Sequence, residues 1–435
     1  MKKKFSPPSL VVSLINFAYE RVFHEKISNE VKTFLKSLSH VATGTLVAAV
    51  IGFAFNILAG RILGPAEYGK FTLVQSVAMF MYIPMLLGFN TAMVKYSSEK
   101  EDFDRQSKII STTYILISIF TIASVTIYSI FSSQLSKIFS IPFELFYLSL
   151  VFAVLFVFYT ITTSTLRSLF KMKTLAIFQP IYAAILLFAF LFFIFGNNLL
   201  SFKSVIYSAF LAYGIVGAIL LIFFLRKYLR FQFDKSWAST LARYSMFAVI
   251  GGLSSVFYTN IDKILINRYM TVTDVGVYRA YFAASINMAG LFFGIFNTVF
   301  FPTASKYQDR EVIFNRINKL VPYLIGLGTP LILLCEFIII KLYGSQYLLN
   351  LGLMLIFAFT SILVVWYSLY DWTFCSQGIR GVKLVNIGTI TIAILNVLLN
   401  IYLIPRLGLY GAIVSTTASY AAGICCLSLL KRKIA

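Results

Sequence analysis

The chain has 435 residues, of which 59% are hydrophobic and 12% charged, and its formal net charge is +21. With a mean hydropathy of +0.85, this composition excludes a soluble globular domain and indicates a polytopic membrane protein. A helix crosses the hydrocarbon core with about 20 apolar residues, and runs of that length predict an all-α integral membrane fold with about 12 transmembrane helices. The predicted spans are 40–62, 71–94, 109–131, 145–166, 174–195, 204–225, 244–267, 277–301, 320–340, 349–371, 384–404 and 408–430.

The leader, residues 1–38, precedes the first span. Its apolar run 10–18 is too short to cross a bilayer, and no small-residue cleavage site follows it, so it is not a cleavable signal peptide. Ile27, Val31 and Phe34 recur at helical spacing, which predicts a cytoplasmic amphipathic helix on the membrane surface. A poorly ordered extension is the alternative.

The basic residues lie mainly on one side of the twelve-span topology. With the N-terminus inside, 28 of the 37 Lys and Arg residues fall in inner segments or at inner span ends. The positive-inside rule therefore predicts a multi-pass protein of the cell (inner) membrane with both termini in the cytoplasm. The basic excess is explained by topology and by attraction to membrane lipids, and it does not predict nucleic-acid binding.

An internal repeat relates the two halves of the chain. Residues 44–98 align with residues 251–305 at a constant offset of 207, with 11 identities in 55 positions. The aligned pairs include Arg61 with Arg268, Glu67 with Asp274, Gly69 with Gly276 and the run 89–91 with 296–298. An even number of spans in each repeat makes both halves point the same way. We therefore predict two six-helix lobes, 39–230 and 231–435, related by an axis along the membrane normal, with a central cavity between them.

Both repeated hairpins resemble a known family. Residues 59–71, Ala-Gly-Arg-Ile-Leu-Gly-Pro-Ala-Glu-Tyr-Gly-Lys-Phe, resemble the first outer turn of the polysaccharide and oligosaccharide flippases, and residues 260–268 with 274–278 resemble their connection between spans seven and eight. This family shares a superfamily with multidrug and toxin extruders and peptidoglycan-precursor flippases. The resemblance implies alternating-access movement of an isoprenoid-(pyro)phosphate-linked oligosaccharide, such as an O-antigen unit, to the outer leaflet. It also implies polymerase or chain-length proteins of the same pathway as partners.

Basic residues within or at the ends of spans are candidates for the transport site, because a charge in hydrocarbon costs several kcal/mol. A lipid-linked sugar carries its negative charge on phosphate, which Arg and Lys bind. The candidate phosphate-binding residues are Lys263, Arg279, Arg61 and Arg268. For Arg61 and Arg268 the alternative is an interface anchor. For Lys263 we expect an unpaired ammonium in the cavity, because Asp262 points about 100° away on the same helix.

Three acidic residues are candidates for ion coupling: Asp262, Glu336 and Asp371. The ion would be H⁺ or Na⁺. For Glu336 the alternative is a side chain that reaches the surface near Lys341. No Walker motif or other phosphate loop occurs, so ATP is not the direct drive. The sequence predicts no cofactor and no metal site, because the four cysteines lie in spans and the two histidines, His24 and His40, lie before and at the very start of the first span.

Aromatic residues make up 17% of the chain, and most are expected to pack within the helices or at the membrane interface. Tyr258, Tyr278 and Tyr281 are candidates for stacking on sugar rings, with ordinary packing as the alternative.

Two other functions stay open from the sequence. An ion-coupled exporter of drugs or other solutes on the same fold would have acidic cavity residues, because its usual substrates are cations. A membrane sugar polymerase or acyltransferase would typically have a long outer loop or an intramembrane His, and the predicted topology contains neither. The sequence therefore favours a transporter rather than an enzyme.

Overall fold

The structure, a computed structural model, describes residues 29–230, 232–294 and 310–431, with side chains from residue 44 onward except at positions 247, 310, 312 and 379. These ranges are helical apart from short turns and loops, and no strand occurs in them. The helices are α1 Asn29–Leu86, α2 Phe89–Ser98, α3 Phe103–Ile130, α4 Ser132–Phe139, α5 Phe143–Ser168, α6 Met172–Leu191, α7 Phe202–Ile219, α8 Lys235–Tyr269, α9 Val272–Phe282, α10 Arg310–Tyr323, α11 Thr329–Tyr343, α12 Leu351–Cys375, α13 Ile379–Leu407 and α14 Leu409–Leu430. The prediction of an all-α membrane protein is confirmed.

Helix α1 contains the first predicted span and most of the second, and its backbone breaks at Gly64 between them. Gly64 has φ 74° and ψ 170°, a conformation that glycine adopts without a Cβ clash. The Tyr68 hydroxyl donates to Asn56 Oδ1 at 3.0 Å. In a straight helix these residues would be about 18 Å apart along the axis. The chain therefore bends back at Gly64, as the predicted turn after Arg61 requires.

Within the described ranges, nine helices are long and apolar enough to cross a membrane, or ten if the bent helix α8 is one span. The segment Gly44–Leu86 is one of the nine, although it contains two helices on either side of Gly64. Helix α8 bends by 42° between Lys235–Met246 and Ala248–Tyr269. The predicted span 277–301 ends outside the described residues. The number twelve and the two-lobe symmetry stay predictions.

Two predicted spans are interrupted close to a proline. The span 71–94 is broken at Leu87 and Gly88, which have φ 45° and 78° and separate α1 from α2. The span 320–340 contains a π-helical turn, Leu324–Gly328, between α10 and α11. Proline lies close to each break, at position 84 and at position 330, and removes a backbone donor there.

The last two helices pack through buried polar contacts. Asn396 Nδ2 donates to Thr416 Oγ1 at 3.2 Å, and Asn400 Nδ2 donates to Asn396 Oδ1 at 3.0 Å. All three side chains are buried. Membrane helices gain little from apolar association, so hydrogen bonds between helices contribute to their packing.

The predicted leader lies partly outside the described residues. Residues 29–38 belong to α1, whose backbone dihedrals stay helical up to Gly64. The last ten residues of the leader are therefore helical, and the predicted position of the leader on the membrane surface stays a prediction.

Candidate functional site: a cavity between the two repeats

A cavity of about 910 Å³ lies between the two repeated segments. Its described lining comes from α1, α8, α9 and the helical residues after α9, with one residue each from α12 and α14. Four pairs of lining residues are related by the repeat offset of 207: Gly52 with Thr259, Phe53 with Asn260, Gln75 with Phe282 and Met79 with Ile286. Equivalent surfaces of the two repeats thus face the same space.

Arg279 is the one charged residue among the described residues that line this cavity. It is half-buried in α9. Within the described part of the chain its guanidinium has neither a carboxylate within 4 Å nor a hydrogen bond, and its Nε is buried without a partner. Lys263 and Tyr343 lie close enough to interact with it electrostatically. The aligned residue of the first repeat is Thr72, so the cavity charge belongs to the second repeat alone.

Lys263 does not line the cavity. Its ammonium contacts Asp262 Oδ1 at 2.9 Å, and the two side chains are 2% and 1% exposed. It also donates to the carbonyl of Thr259 and lies 4.4 Å from the ring centroid of Phe282. Phe282 lines the cavity, so the Lys263 ammonium lies behind the ring of a wall residue. Lys263 is thus paired and buried at the wall.

The expectation that Asp262 points away from Lys263 is therefore wrong. Adjacent Cβ atoms do diverge by about 100° on a helix. However, the lysine stem is long and flexible enough to fold its ammonium back onto the neighbouring carboxylate. A buried ammonium with no other carboxylate nearby forms its ion pair with the one that it can contact.

Of the three tyrosines, only Tyr258 lines the cavity, where its ring meets Tyr420 edge-on at 5.8 Å. Tyr278 and Tyr281 are buried against Phe357, at 5.3 and 5.7 Å between ring centroids. The Tyr281 hydroxyl donates to Leu348 O at 2.6 Å and accepts from Asn350 N at 2.9 Å. These two rings are core residues of the second half, away from the cavity wall.

Glu336 and Asp371 also lie outside the cavity lining. Glu336 is fully buried in α11, and both carboxyl oxygens lack a hydrogen bond within the described residues. The alternative that it reaches the surface near Lys341 is wrong, because the Lys341 ammonium lies over Phe337 instead, at 4.3 Å. Asp371 is half-buried in α12, and its Oδ1 is 3.8 Å from Cys375 Sγ.

Contacts between the halves close the end of the cavity nearest Gly64, which is the predicted outer end. We call this the tyrosine seal: Tyr68, Tyr343 and Tyr347. The Tyr68 and Tyr343 hydroxyls are 3.4 Å apart, and the Tyr347 hydroxyl donates to Gly60 O at 3.0 Å. Burial raises the pKa of Tyr347, so this hydroxyl stays a donor.

The two end arginines stand outside the cavity. Arg61 is exposed beside the tyrosine seal, where Nη1 donates to Leu342 O at 3.4 Å. Arg268 is exposed at the end of α8. Both positions fit the interface-anchor alternative.

Residues 34–308, more than half of the chain, match the model of the family described as polysaccharide biosynthesis protein. The chain belongs to this family. The resemblance read from the two hairpins is thereby confirmed.

Individual relatives agree with this family. The chain is 26% identical over 192 residues to the probable low-salt glycan biosynthesis flippase Agl15 of Haloferax volcanii. The aligned region covers 42% of this chain and 40% of that protein. It thus spans about two fifths of the length of the curated relatives that it matches.

Two solved structures share the fold of this polysaccharide biosynthesis protein. One is an inward-facing multidrug resistance MATE transporter of the MOP superfamily, with TM-score 0.69, 14% identity and coverage of 89% of this chain and 96% of that one. The other is the lipid II flippase MurJ in an inward closed conformation, with TM-score 0.63, 16% identity and coverage of 90% and 87%.

Four side-chain amides that were not among the predicted site residues also line the cavity: Asn56, Gln75, Asn260 and Asn287. Two of these amides donate hydrogen bonds to carbonyls of their own helices: Asn56 Nδ2 to Gly52 O at 2.7 Å and Asn260 Nδ2 to Val256 O at 3.1 Å. Gln75 and Asn287 line the cavity, and within the described residues their amides have no hydrogen bond. An amide inside an otherwise apolar helix was the available signal, since such groups require partners in the membrane.

Proposed function

We propose that the protein is a flippase that moves an isoprenoid-(pyro)phosphate-linked oligosaccharide from the cytoplasmic to the outer leaflet by alternating access. One observation carries this proposal. Arg279, a guanidinium without an acidic partner in the described residues, lines a cavity between the repeats that is otherwise neutral in its described lining. An unpaired cation in a low-dielectric site favours an anionic ligand.

The lining suits the two parts of such a substrate. The planar guanidinium of Arg279 would bind the phosphate with two parallel hydrogen bonds. The free amides of Gln75 and Asn287 would exchange hydrogen bonds with sugar hydroxyls, and Tyr258 offers a ring at the wall. Lys263 would lie behind Phe282 without touching the substrate, with its charge balanced by Asp262.

Alternating access would open the cavity to each side in turn. With the tyrosine seal closed at the predicted outer end, the cavity would load from the cytoplasmic leaflet. Release would require Tyr68 and Tyr343 to separate while the opposite ends of the lobes approach. No covalent chemistry is part of this cycle, and polymerase or chain-length proteins would receive the delivered unit.

We further propose that transport is coupled to protons at Glu336. A buried carboxyl without a cation partner in the described residues is favoured in its neutral, protonated form. Such a group binds H⁺ with one oxygen, whereas Na⁺ requires several oxygen ligands. Asp262 is less suited to this role because Lys263 already neutralises it, and Asp371 is only half-buried and has a contact from the Cys375 thiol.

A drug exporter of the same fold is less well supported. Its cationic substrates would need an acidic cavity, and the described lining holds a basic residue and no acid.

The test uses cells that lack their own flippase and accumulate lipid-linked precursor. Arg279→Ala should lower the rate of precursor clearance roughly 10- to 100-fold, because a charged hydrogen bond is worth about 1.5–3 kcal/mol. Arg279→Lys should retain part of the activity, and Arg268→Ala is the matched control outside the cavity. Normal clearance by Arg279→Ala at normal abundance would refute the proposed role of this residue.

A further inference from the structure

A second pocket, of about 610 Å³, lies where the turn after α5 meets the end of α7. Its described lining contains three cations, Lys171, Arg226 and Lys227, and three apolar residues of the π-helical segment Leu220–Leu225 that continues α7, Ile222, Phe223 and Phe224. Lys171 stands 55 positions before Arg226, so the fold brings these charges together. The pocket belongs to the end of the molecule at which basic residues are concentrated, the predicted cytoplasmic side.

The three cations have no carboxylate partner within the described residues. The Lys171 ammonium donates to Phe224 O at 3.1 Å and lies 5.5 Å from the ring centroid of Tyr228. Lys227 lies 5.2 Å from the same ring. Burial and the nearby Lys227 lower the pKa of Lys171. Like charges held this close without an acid repel one another, so an anion in the pocket would stabilise them.

The apolar side of the pocket faces outward. Ile222 and Phe223 are 54% and 75% exposed, and they lie in the last two turns of the apolar span Phe202–Tyr228. Exposed apolar side chains next to Lys and Arg at a span end match the boundary between acyl chains and headgroups. A ligand with a phosphate at one end and acyl chains at the other would satisfy both surfaces.

We propose that this pocket binds the phosphate headgroup of an anionic phospholipid in the cytoplasmic leaflet. Lys171, Arg226 and Lys227 contact the headgroup, and Ile222 and Phe223 contact the acyl chains. The site holds the end of α7 directly before the segment that joins the two halves. It is separate from the transport cavity, and no residue lines both.

The experiment measures binding of single lipids to the purified full-length protein in neutral detergent, where no charged surface attracts them. Phosphatidylglycerol should bind and phosphatidylcholine should not. Each basic residue near a phosphate headgroup contributes about 1 kcal/mol. The variant Lys171→Gln/Arg226→Gln/Lys227→Gln should therefore bind phosphatidylglycerol on the order of 100-fold more weakly.

The matched control is Lys100→Gln/Lys108→Gln/Lys235→Gln, which removes three exposed charges from the same end of the molecule and should retain binding. An equal loss in the control would overturn the proposal, as would unchanged binding by the pocket variant. Inorganic phosphate is the third ligand: competition at equal concentration would show a free-phosphate site and overturn the lipid assignment. If the triple variant does not fold, Arg226→Gln and Lys227→Gln test the same site singly, since both side chains are exposed.

Discussion

Gly69 and Gly276, which occupy the same position in the two repeats, lie against each other between the two halves. A Cβ on either glycine would be 3.1 Å from the backbone nitrogen of the other. It would also overlap a carbonyl of the opposite half, Val272 O for Gly69 and Pro65 O for Gly276. Pro65 and Val272 are themselves 207 residues apart, so the contact is reciprocal. Glycine allows this backbone approach because it has no side chain.

We predict that Gly69→Ala or Gly276→Ala separates the halves at the predicted outer end. The added methyl groups would clash with backbone carbonyls, which cannot rotate away. Cross-linking of cysteines placed at Tyr68 and Tyr343 with a short bifunctional reagent should fall in both variants, and so should transport. Gly214→Ala is the control, because a Cβ there meets nothing within 4 Å. Cross-linking unchanged from wild type in Gly69→Ala would contradict the prediction.

Because Lys263 and Asp262 form a buried ion pair, we predict that Lys263→Ala lowers the stability of the protein. If Lys263 were the unpaired cavity residue that the sequence predicts, Lys263→Ala would leave folding nearly unchanged. With Asp262 1% exposed beside it, the substitution would leave an unpaired carboxylate, at a cost of about 3–5 kcal/mol. Abundance and the thermal unfolding midpoint of Lys263→Ala should therefore fall.

The double variant Asp262→Leu/Lys263→Met is the control for this pair. Replacing both charges by apolar residues of similar size is often neutral, so its abundance should recover. If transport recovers as well, neither charge contacts the substrate. A Lys263→Ala protein as stable as wild type would show that the pair contributes little.

Glu336→Gln should abolish the dependence of transport on a pH gradient. The amide keeps the size of the carboxyl but does not titrate, so it carries no proton. Uptake of labelled precursor lipid into proteoliposomes, with and without an imposed gradient, measures the effect. The comparison is Asp371→Asn, which makes the same kind of change at a different acidic residue that is half-buried. Gradient-driven transport at wild-type rates in Glu336→Gln would exclude this carboxyl as the coupling group.

The topology predicts that single cysteines at Ser98 and Ser305 face the cytoplasm. An impermeant thiol reagent added to intact cells should label neither position, and labelling should appear after the membrane is permeabilised. Cysteine-free protein is the background control. Rapid labelling of both positions from outside would reject the twelve-span arrangement.

The sequence by itself determined the membrane class, the helical fold and the family. Hydropathy depends on local composition, since each apolar run must satisfy its own backbone hydrogen bonds within the bilayer. The turn at Gly64 could also be predicted from local composition, because Arg61, Gly64 and Glu67 separate two apolar runs. Arg279 was a candidate because a charge within a span is rare enough to stand out.

Only the tertiary structure decided which of these residues meet. It paired Lys263 with Asp262, since the direction of a flexible lysine depends on its surroundings rather than on helical spacing. It placed Tyr278 and Tyr281 in the core and Tyr258 at the cavity. Hydropathy is the same for every tyrosine and does not show which face of a helix turns toward the cavity. It also joined Lys171 to Arg226 and Gly69 to Gly276. Such contacts between residues distant in sequence depend on how helices pack, and hydropathy and periodicity carry no information about which helices become neighbours.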